Sequence, residues 1–570
     1  MLLVYGPRST DYDFGDEHPL TPRRFGPGID LLRAVGAEPG LAPEPAIDEE
    51  LRWLHERPYI DVVKRFSHDP YGFAQAGIGD GGDCPPFADM HEASAAVVGG
   101  SVRAVESILR GDIEHALHPG GGLHHAMPAR ASGFCIYNDP AIAIARARRD
   151  GLRVMYIDLD VHHGDGVQAM HWADPGVLTV SIHETGRALF PGTGEADEIG
   201  EGVAAGTSVN VPLLPGTGEG AWLASVESLL PELAATFGPD LIVSQHGADS
   251  HAWDPLAHLN VTTTAHGRAA RLVDAIAHRY AAGRWLATGG GGYDAYRVVP
   301  RTWALTWLAG AHREVPSSTP AAWRDRWATE AARYGQAPLP ATFDDEPNAG
   351  LPLDGEQEMA AERGRAVAAV VRRAVVPRLV REAVDRGWWD PLGAGAGAGT
   401  ETVAGSVAGR SDGTPTIVAE VDAAAWSRWS LAPRVVAPFG IGDASAIVGA
   451  ALVDGARVSA AIVGSTVVGL AVSAQDARAD RGSPELLALG VARSHRRRGL
   501  AGRLLAEHVV PGTTATVTLA ERDVVDPLDR DTRALVAHRL LSRAGFMVEP
   551  ADAAVRAVDP SAIVARSRTT

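Results

Sequence analysis

The sequence predicts an α/β protein: a three-layer domain around a parallel sheet, then a smaller second domain of α+β type. Three observations point there. Over residues 1–318, short apolar runs rich in branched residues alternate with amphipathic helical stretches, the pattern of strands buried on both faces of a parallel sheet. At 570 residues the chain is too long for one hydrophobic core. A Gly/Ala/Ser/Thr tract over residues 394–414 separates that first pattern from another set of strand-like runs and reads as a flexible linker.

The elements follow in order. Strands are expected over residues 153–158, 177–182, 241–244 and 284–288, and helices over 139–149 and 220–237. Residues 319–393 form a helical extension, in which 356–388 carry apolar residues at helical spacing broken at Pro377. After the linker, residues 415–570 make the second domain, with strands over 459–463, 467–472 and 486–491 and a helix from Gly499.

Composition bounds the function. Hydrophobic residues make up 45% and charged residues 21%, so most of the chain should fold. A net charge of −18 argues against a nucleic-acid partner, whose phosphates demand Lys and Arg, and leaves room for cationic partners such as lysine-rich tails. Arginine supplies almost all the positive charge; Lys64 is the one lysine. Cys84 and Cys135 lie too far apart in sequence to suggest a disulfide framework. With no basic-then-apolar leader and no run of ~20 apolar residues, a cytoplasmic protein with no membrane partner is expected.

The densest chemical signal is Tyr156-Ile-Asp-Leu-Asp-Val-His-His-Gly-Asp-Gly166, where an apolar strand ends in Asp158 and Asp160 and the chain turns through His162, His163 and Asp165. In open parallel sheets, ligands bind beyond such strand ends. Asp160 and His162 alternate with Val161 and can point into the same cleft. The run ending in Ser244-Gln-His-Gly-Ala-Asp249 offers Asp249 as a third ligand, and two carboxylates with one imidazole leave the open position that catalytic zinc needs. His251 is a weaker candidate, better suited to a hydrogen-bonding or pocket-wall role.

Gly120-Gly-Gly-Leu-His-His-Ala126 places His124 and His125 after a glycine-rich turn, and imidazoles suit proton transfer near neutrality. Asp158 and Asp165 are available to set their tautomers. Thr288-Gly-Gly-Gly-Gly-Tyr293 delivers Tyr293 to a strand end, where a hydroxyl can stabilise a developing oxyanion.

Together these pieces resemble the histone deacetylase family, in particular its acetoin-utilisation branch. The resemblance covers about residues 1–318. It rests on Gly82-Asp-Cys-Pro85, His124-His125, Gly133-Phe-Cys135 with Asn138-Asp139, Asp158-Leu-Asp-Val-His-His-Gly-Asp165, Phe190-Pro-Gly-Thr-Gly194, Gly247-Ala-Asp249 with Asp254-Pro255, and Gly289-Gly-Gly-Gly-Tyr293, all in the family's order. It implies an arginase/deacetylase-like fold and zinc on Asp160, His162 and Asp249. It pairs His124 with Asp158 and His125 with Asp165, and makes Tyr293 the transition-state tyrosine. Gly133, Phe134 and Phe190 would wall an acyl-lysine tunnel, with Leu256 at its rim and Asp83 holding the substrate backbone. Arg24 would sit near an acetate-release channel. Structural potassium would lie on Asp158, Asp160 and His162 with Ser181 and Ile182. The implied reaction is N-acetyl-lysine hydrolysis to acetate and a free amine. The implied partner is an acetylated protein, such as an acyl-CoA synthetase. Acetylpolyamines, an arginase-like binuclear hydrolase and an acetylation-state sensor remain alternatives.

In the second domain, Arg496-Arg-Arg-Gly-Leu-Ala-Gly502 follows a strand and opens a helix, a ready anion site. With residues 537–546 it resembles the acetyl-CoA loop and last helix of the GNAT acetyltransferases. Arg496, Arg497, Arg498, Gly499, Leu500, Ala501 and Gly502 would then hold acetyl-CoA. Leu541 stands where those enzymes carry a tyrosine acid, a departure that would slow or abolish transfer; Glu485 is a candidate base.

Overall fold

The computed structural model describes residues 1–79, 83–345 and 355–385, together with short strands between residues 400 and 567. The chain divides into two compact units, Met1–Ala234 with Gly238–Val375, and Ala235–Phe237 with Val376–Thr570.

The first unit is built on eight strands: β1 (Leu2–Val4), β2 (Pro39–Leu41), β3 (His115–His118), β4 (Val154–Asp158), β5 (Val177–Glu184), β6 (Ser208–Leu213), β7 (Leu241–Gln245) and β8 (Trp285–Thr288). They form one sheet in the order β2-β1-β3-β8-β7-β4-β5-β6, with every pairing parallel. Strands β3, β4, β5, β7 and β8 are buried at every position, because helices cover both faces.

The helices are α1 (Phe25–Ala34), α2 (Asp48–Leu51), α3 (Arg57–His68), α4 (Met90–Arg110), α5 (Asp139–Arg149), α6 (Asp165–His171), α7 (Glu219–Phe237), α8 (Thr263–Tyr280), α9 (Val299–Gly310), α10 (Ala321–Arg333) and α11 (Gly355–Asp385). On one face, Val105 and Ile108 of α4 and Ala143 and Ile144 of α5 close over Val154, Tyr156, Val243 and Leu286. The intervening residues Met155, Ile157 and Ile242 are just as buried on the other face, where α8 packs on β7 and against α9.

Several expectations shift. Strand β5 runs two residues beyond the expected 182, to Glu184, because its continuation stays paired with β6 through His183 and Glu184. The break at Pro377 is not found: α11 continues through it. A proline removes only one intrahelical hydrogen bond, and the flanking bonds keep the helix going. The helix of residues 139–149 is found as expected. Residues 319–345 pack on the first unit, where the buried Trp323 indole donates to the Pro27 carbonyl at 2.9 Å.

The second unit holds a nine-stranded sheet: β9 (Thr400–Glu401), β10 (Thr416–Val418), β11 (Ser430–Leu431), β12 (Arg457–Val463), β13 (Thr466–Gln475), β14 (Pro484–Val491), β15 (Thr514–Val517), β16 (Phe546–Pro550) and β17 (Ile563–Ser567). Strands β12, β13 and β14 form an antiparallel meander, whereas β14 and β15 pair in parallel. The turn at 496–502, the helix from Gly499, Leu541 and most of 394–414 lie outside the described residues.

Cys84 and Cys135 are buried, and the Cys84 thiol points to the Cys135 carbonyl at 4.0 Å. Lys64 pairs with the Asp48 carboxylate at 2.5 Å. Among the described residues, no helix is long and apolar enough to cross a membrane.

Candidate active site and metal centre

The site lies beyond the C-terminal ends of β4, β7 and β8. After β4 the chain turns through Asp160 and His162, and after β7 it reaches Asp249. The His162 Nδ1 sits 3.0 Å from Asp160 Oδ1 and 3.1 Å from Asp249 Oδ2. All three residues are buried, and their donor atoms lie within 4.8 Å of one another. The remaining oxygens are tied down by the protein. Asp160 Oδ2 accepts from Gln245 Nε2 at 2.6 Å and the Gly291 amide at 2.8 Å, and Asp249 Oδ1 accepts from the Val161 amide at 3.0 Å. A Cβ on Gly291 would fall 2.1 Å from Asp249 Oδ2, so only glycine lets the loop after β8 close over the cluster.

The electrostatics of this cluster call for a cation. Burial opposes charge on His162, yet Asp160 and Asp249 hold its pKa well above the ordinary imidazole value. Burial and the nearby Asp160 push Asp249 upward, whereas His124 and His162 outweigh burial at Asp160 and keep it well below the usual carboxylate range. Two buried carboxylates competing for positive charge, with one imidazole between them, fit a divalent ion such as zinc.

Beside the cluster stand two histidine–carboxylate pairs. His124 Nδ1 lies 2.8 Å from Asp158 Oδ2, and His125 Nδ1 lies 2.7 Å from Asp165 Oδ1. In each pair this leaves Nε2 for proton exchange. Their environments diverge: burial resists charge on His124, but Asp158 and Asp160 lift its pKa to about 9. Burial and the His124 charge press His125 to about 4 despite Asp165. The start of α5 places both rings. Asp139 Oδ1 accepts the Gly122 and Leu123 amides at 3.0 and 2.8 Å, and Asn138 Nδ2 donates to the carbonyls of His124 and Ala126 at 3.0 Å.

Tyr293 joins them from the loop after β8, its amide donating to Asp254 Oδ2 at 2.8 Å. Burial, then Asp249, Asp160 and Asp254, push its hydroxyl well above the usual phenol pKa, so it remains a proton donor in hydrogen bonds. Leu20, His124, His125, Phe134, Asp160 and Tyr293 line one small pocket. The Phe134 ring meets Tyr293 edge-on at 5.9 Å, and Phe190 meets His125 at 5.0 Å. Gly133 has φ +51°, and a Cβ there would strike the His125 ring at 2.5 Å and Phe190 at 2.7 Å; glycine is thus needed for the wall to form.

Other expected residues lie outside this inner pocket. Asp83 is exposed and Leu256 is half-buried, and neither lines the inner pocket. Arg24 is buried, donates to the Gly290 carbonyl at 2.7 Å and borders a second small pocket that shares Leu20 and Leu123 with the first. Ser181 pairs in register with Asp158 across β4 and β5, with the buried Ile182 next to it. His251 turns away from the cluster to Asp345, at 2.9 Å. His163 bonds Thr193 at 2.8 Å.

Sequence reasoning missed several supporting groups. Tyr12 donates to the Phe134 carbonyl at 2.7 Å, Tyr156 donates to Asp158 Oδ2 at 2.8 Å, and Gln245 holds Asp160. Gln245 offered a signal, as a polar residue at the last position of an apolar run. Tyr12 offered none.

Comparisons with known proteins agree with this geometry. A family model described as "Histone deacetylase domain" matches residues 18–309. The chain is similar to the acetoin utilization protein AcuC of Bacillus subtilis (strain 168), 40% identical over 373 residues that span 64% of this chain and 95% of that protein. It is 38% identical to the AcuC of Staphylococcus aureus (strain MSSA476), over 60% of this chain and 90% of that protein. Among solved structures, an HDAC homologue from Aquifex aeolicus superposes with a TM-score of 0.56 at 29% identity, covering 64% of this chain and 99% of that one. The family match and the near-complete coverage of these relatives show that the chain belongs to the histone deacetylase family.

Proposed function

We propose that the first unit hydrolyses N-acetyl-lysine amides on protein substrates and releases acetate, within acetoin or acetate metabolism. The observation that carries this reading is the pair of His–Asp couples set beside the buried Asp160–His162–Asp249 cluster. The names of the AcuC relatives support the metabolic setting.

In this reading Asp160, His162 and Asp249 hold zinc, which when bound supplies Lewis-acid polarisation of the amide carbonyl and a more acidic water. Tyr293 donates its hydroxyl hydrogen bond to the carbonyl oxygen as charge develops there. His125, oriented by Asp165, takes a proton from the attacking water. His124, oriented by Asp158, holds a positive charge beside the reacting centre, and the pair returns a proton to the leaving amine. Phe134 and Phe190 flank the apolar lysine stem over Gly133 and exclude water. Asp83 and Leu256 act outside the inner pocket, on the substrate backbone and the rim. Asp158, Asp160 and His162, with Ser181 and Ile182, would bind potassium.

The second unit is proposed to bind acetyl-CoA through Arg496, Arg497, Arg498, Gly499, Leu500, Ala501 and Gly502. The parallel pairing of β14 and β15 supports this, because parallel neighbours need a crossover, usually a helix. The basic turn would open that helix and offer its amides to a pyrophosphate.

The test is an assay of the full chain against acetyl-lysine peptides, including an acetylated acyl-CoA synthetase peptide, and against acetylpolyamines, with metal content measured. Acetate release from the peptides, lost on chelation and restored by zinc, is the expected result. Turnover of polyamines alone would replace the protein substrate, and turnover in metal-free protein would overturn the zinc assignment. Calorimetry of the full chain with acetyl-CoA, compared with Arg496→Ala, tests the second unit.

A further inference from the structure

A second cluster of metal donors lies at the opposite end of the sheet. His115 opens β3, Asp274 and His278 lie one turn apart near the end of α8, and His312 follows α9. Their donor atoms all lie within 4.8 Å of one another. Asp274 Oδ1 is 3.7 Å from His115 Nε2, 3.5 Å from His278 Nε2 and 3.2 Å from His312 Nε2, and the last two nitrogens are 3.0 Å apart. Zinc bonds of about 2.05 Å require a tetrahedral edge of about 3.3 Å, which these separations bracket. We propose that His115, Asp274, His278 and His312 bind a divalent transition metal of the zinc class as a closed structural site that ties β3, α8 and α9 together.

Two further observations point to a ligand there. His115 is buried, and its Nε2 has no hydrogen-bond partner although it faces the other donors. Its Nδ1 lies 2.7 Å from the Gly310 carbonyl, which fixes the proton on Nδ1 and leaves Nε2 as a lone-pair donor, the arrangement of a metal-bound imidazole. His312 has φ +54°. It occupies the left-handed position that ends α9, with its amide bonded to Ala309 and the Arg313 amide to Leu308, where glycine is the ordinary choice. A histidine at that position carries backbone strain and sets its ring among the donors. Three imidazoles and one carboxylate fill a tetrahedral shell, so this site leaves no position for substrate. Asp274, His278 and His312 reach solvent, which gives the ion a way in.

The test compares the full chain with His312→Gly and His278→Gln. Each protein is stripped with chelator, re-equilibrated with zinc, passed over a desalting column and analysed for zinc per chain and deacetylase rate. Each variant should bind one equivalent less than the wild type at unchanged rate, and its zinc-induced rise in melting temperature should shrink. His312→Gly removes the left-handed strain, so it should fold at least as well as the wild type without metal. Equal zinc content in wild type and both variants overturns the proposal, as does a zinc-induced melting shift identical in all three.

Discussion

The two ends of the central sheet gather the same residue types to different effect. At the C-terminal end, two carboxylates and one imidazole are buried together, and two further imidazoles are each paired with a carboxylate of their own. At the N-terminal end, the buried His115 faces two further imidazoles and one carboxylate that reach solvent. Histidine content alone therefore says little about chemistry. What separates a reactive centre from a clamp is how many donors are withheld from the ion and how they are oriented. Helix α8 links the two ends: its first residues are held by Asp345, and its last turns carry Asp274 and His278.

The contrast can be broken most severely at a ligand. Asp249→Asn should abolish measurable deacetylation and release the C-terminal metal, while His312→Gly retains full activity; zinc analysis alongside the assay checks both. Next is Asp345→Asn. Burial opposes the Asp345 charge, but His251 and Arg301 hold its carboxyl well below the usual range, and Arg301 lies 2.6 Å away and fully buried. Removing it strands a buried guanidinium, at a cost of about 3–5 kcal/mol in unfolding free energy at pH 7. Because the folded pKa is depressed, this stabilisation is complete above the unfolded value of about 4 and is lost as pH falls further. Melting curves of Asp345→Asn should thus be flatter with pH below about 5 than those of the wild type, and parallel slopes would remove the claim.

Tyr293→Phe should keep its metal and lose about 10²–10³-fold in turnover, the usual scale for one oxyanion donor. Undiminished turnover would sink the role of that hydroxyl. Asp158→Asn, which weakens the pairing with His124 along with the bonds from Tyr156 and the Asp160 amide, should cost about 10–100-fold, with kcat falling more than KM rises. A larger loss would show that Asp158 also supports the ion.

The same contrast explains what was legible in the sequence. The reactive centre was readable because its donors cluster in contiguous motifs at the ends of apolar runs, with Asp158 to Asp165 in a single turn. The opposite cluster was not, because His115, Asp274, His278 and His312 are scattered along the chain and each alone looks like a surface residue. The strands follow a similar division. Those at 153–158 and 241–244 stood out as apolar runs and are found within a residue or so. Leu2–Val4 and Pro39–Leu41 are too short to show a period, and His115–His118 hides its apolar centre between two histidines. Pairing with their sheet neighbours, rather than local pattern, makes these segments strands.

The ion pair between Lys64 and Asp48 has an analytical consequence. Lys64 is the only lysine side chain in the sequence. Amine-directed crosslinkers, fluorophores and immobilisation chemistries will therefore report on one side-chain address of this protein, on α3. In a mixture with a lysine-rich partner, a lysine-specific protease or tag reads the partner almost alone. Mass spectrometry of such a reaction can then follow substrate turnover in the presence of stoichiometric enzyme, with little background from the enzyme's own side chains.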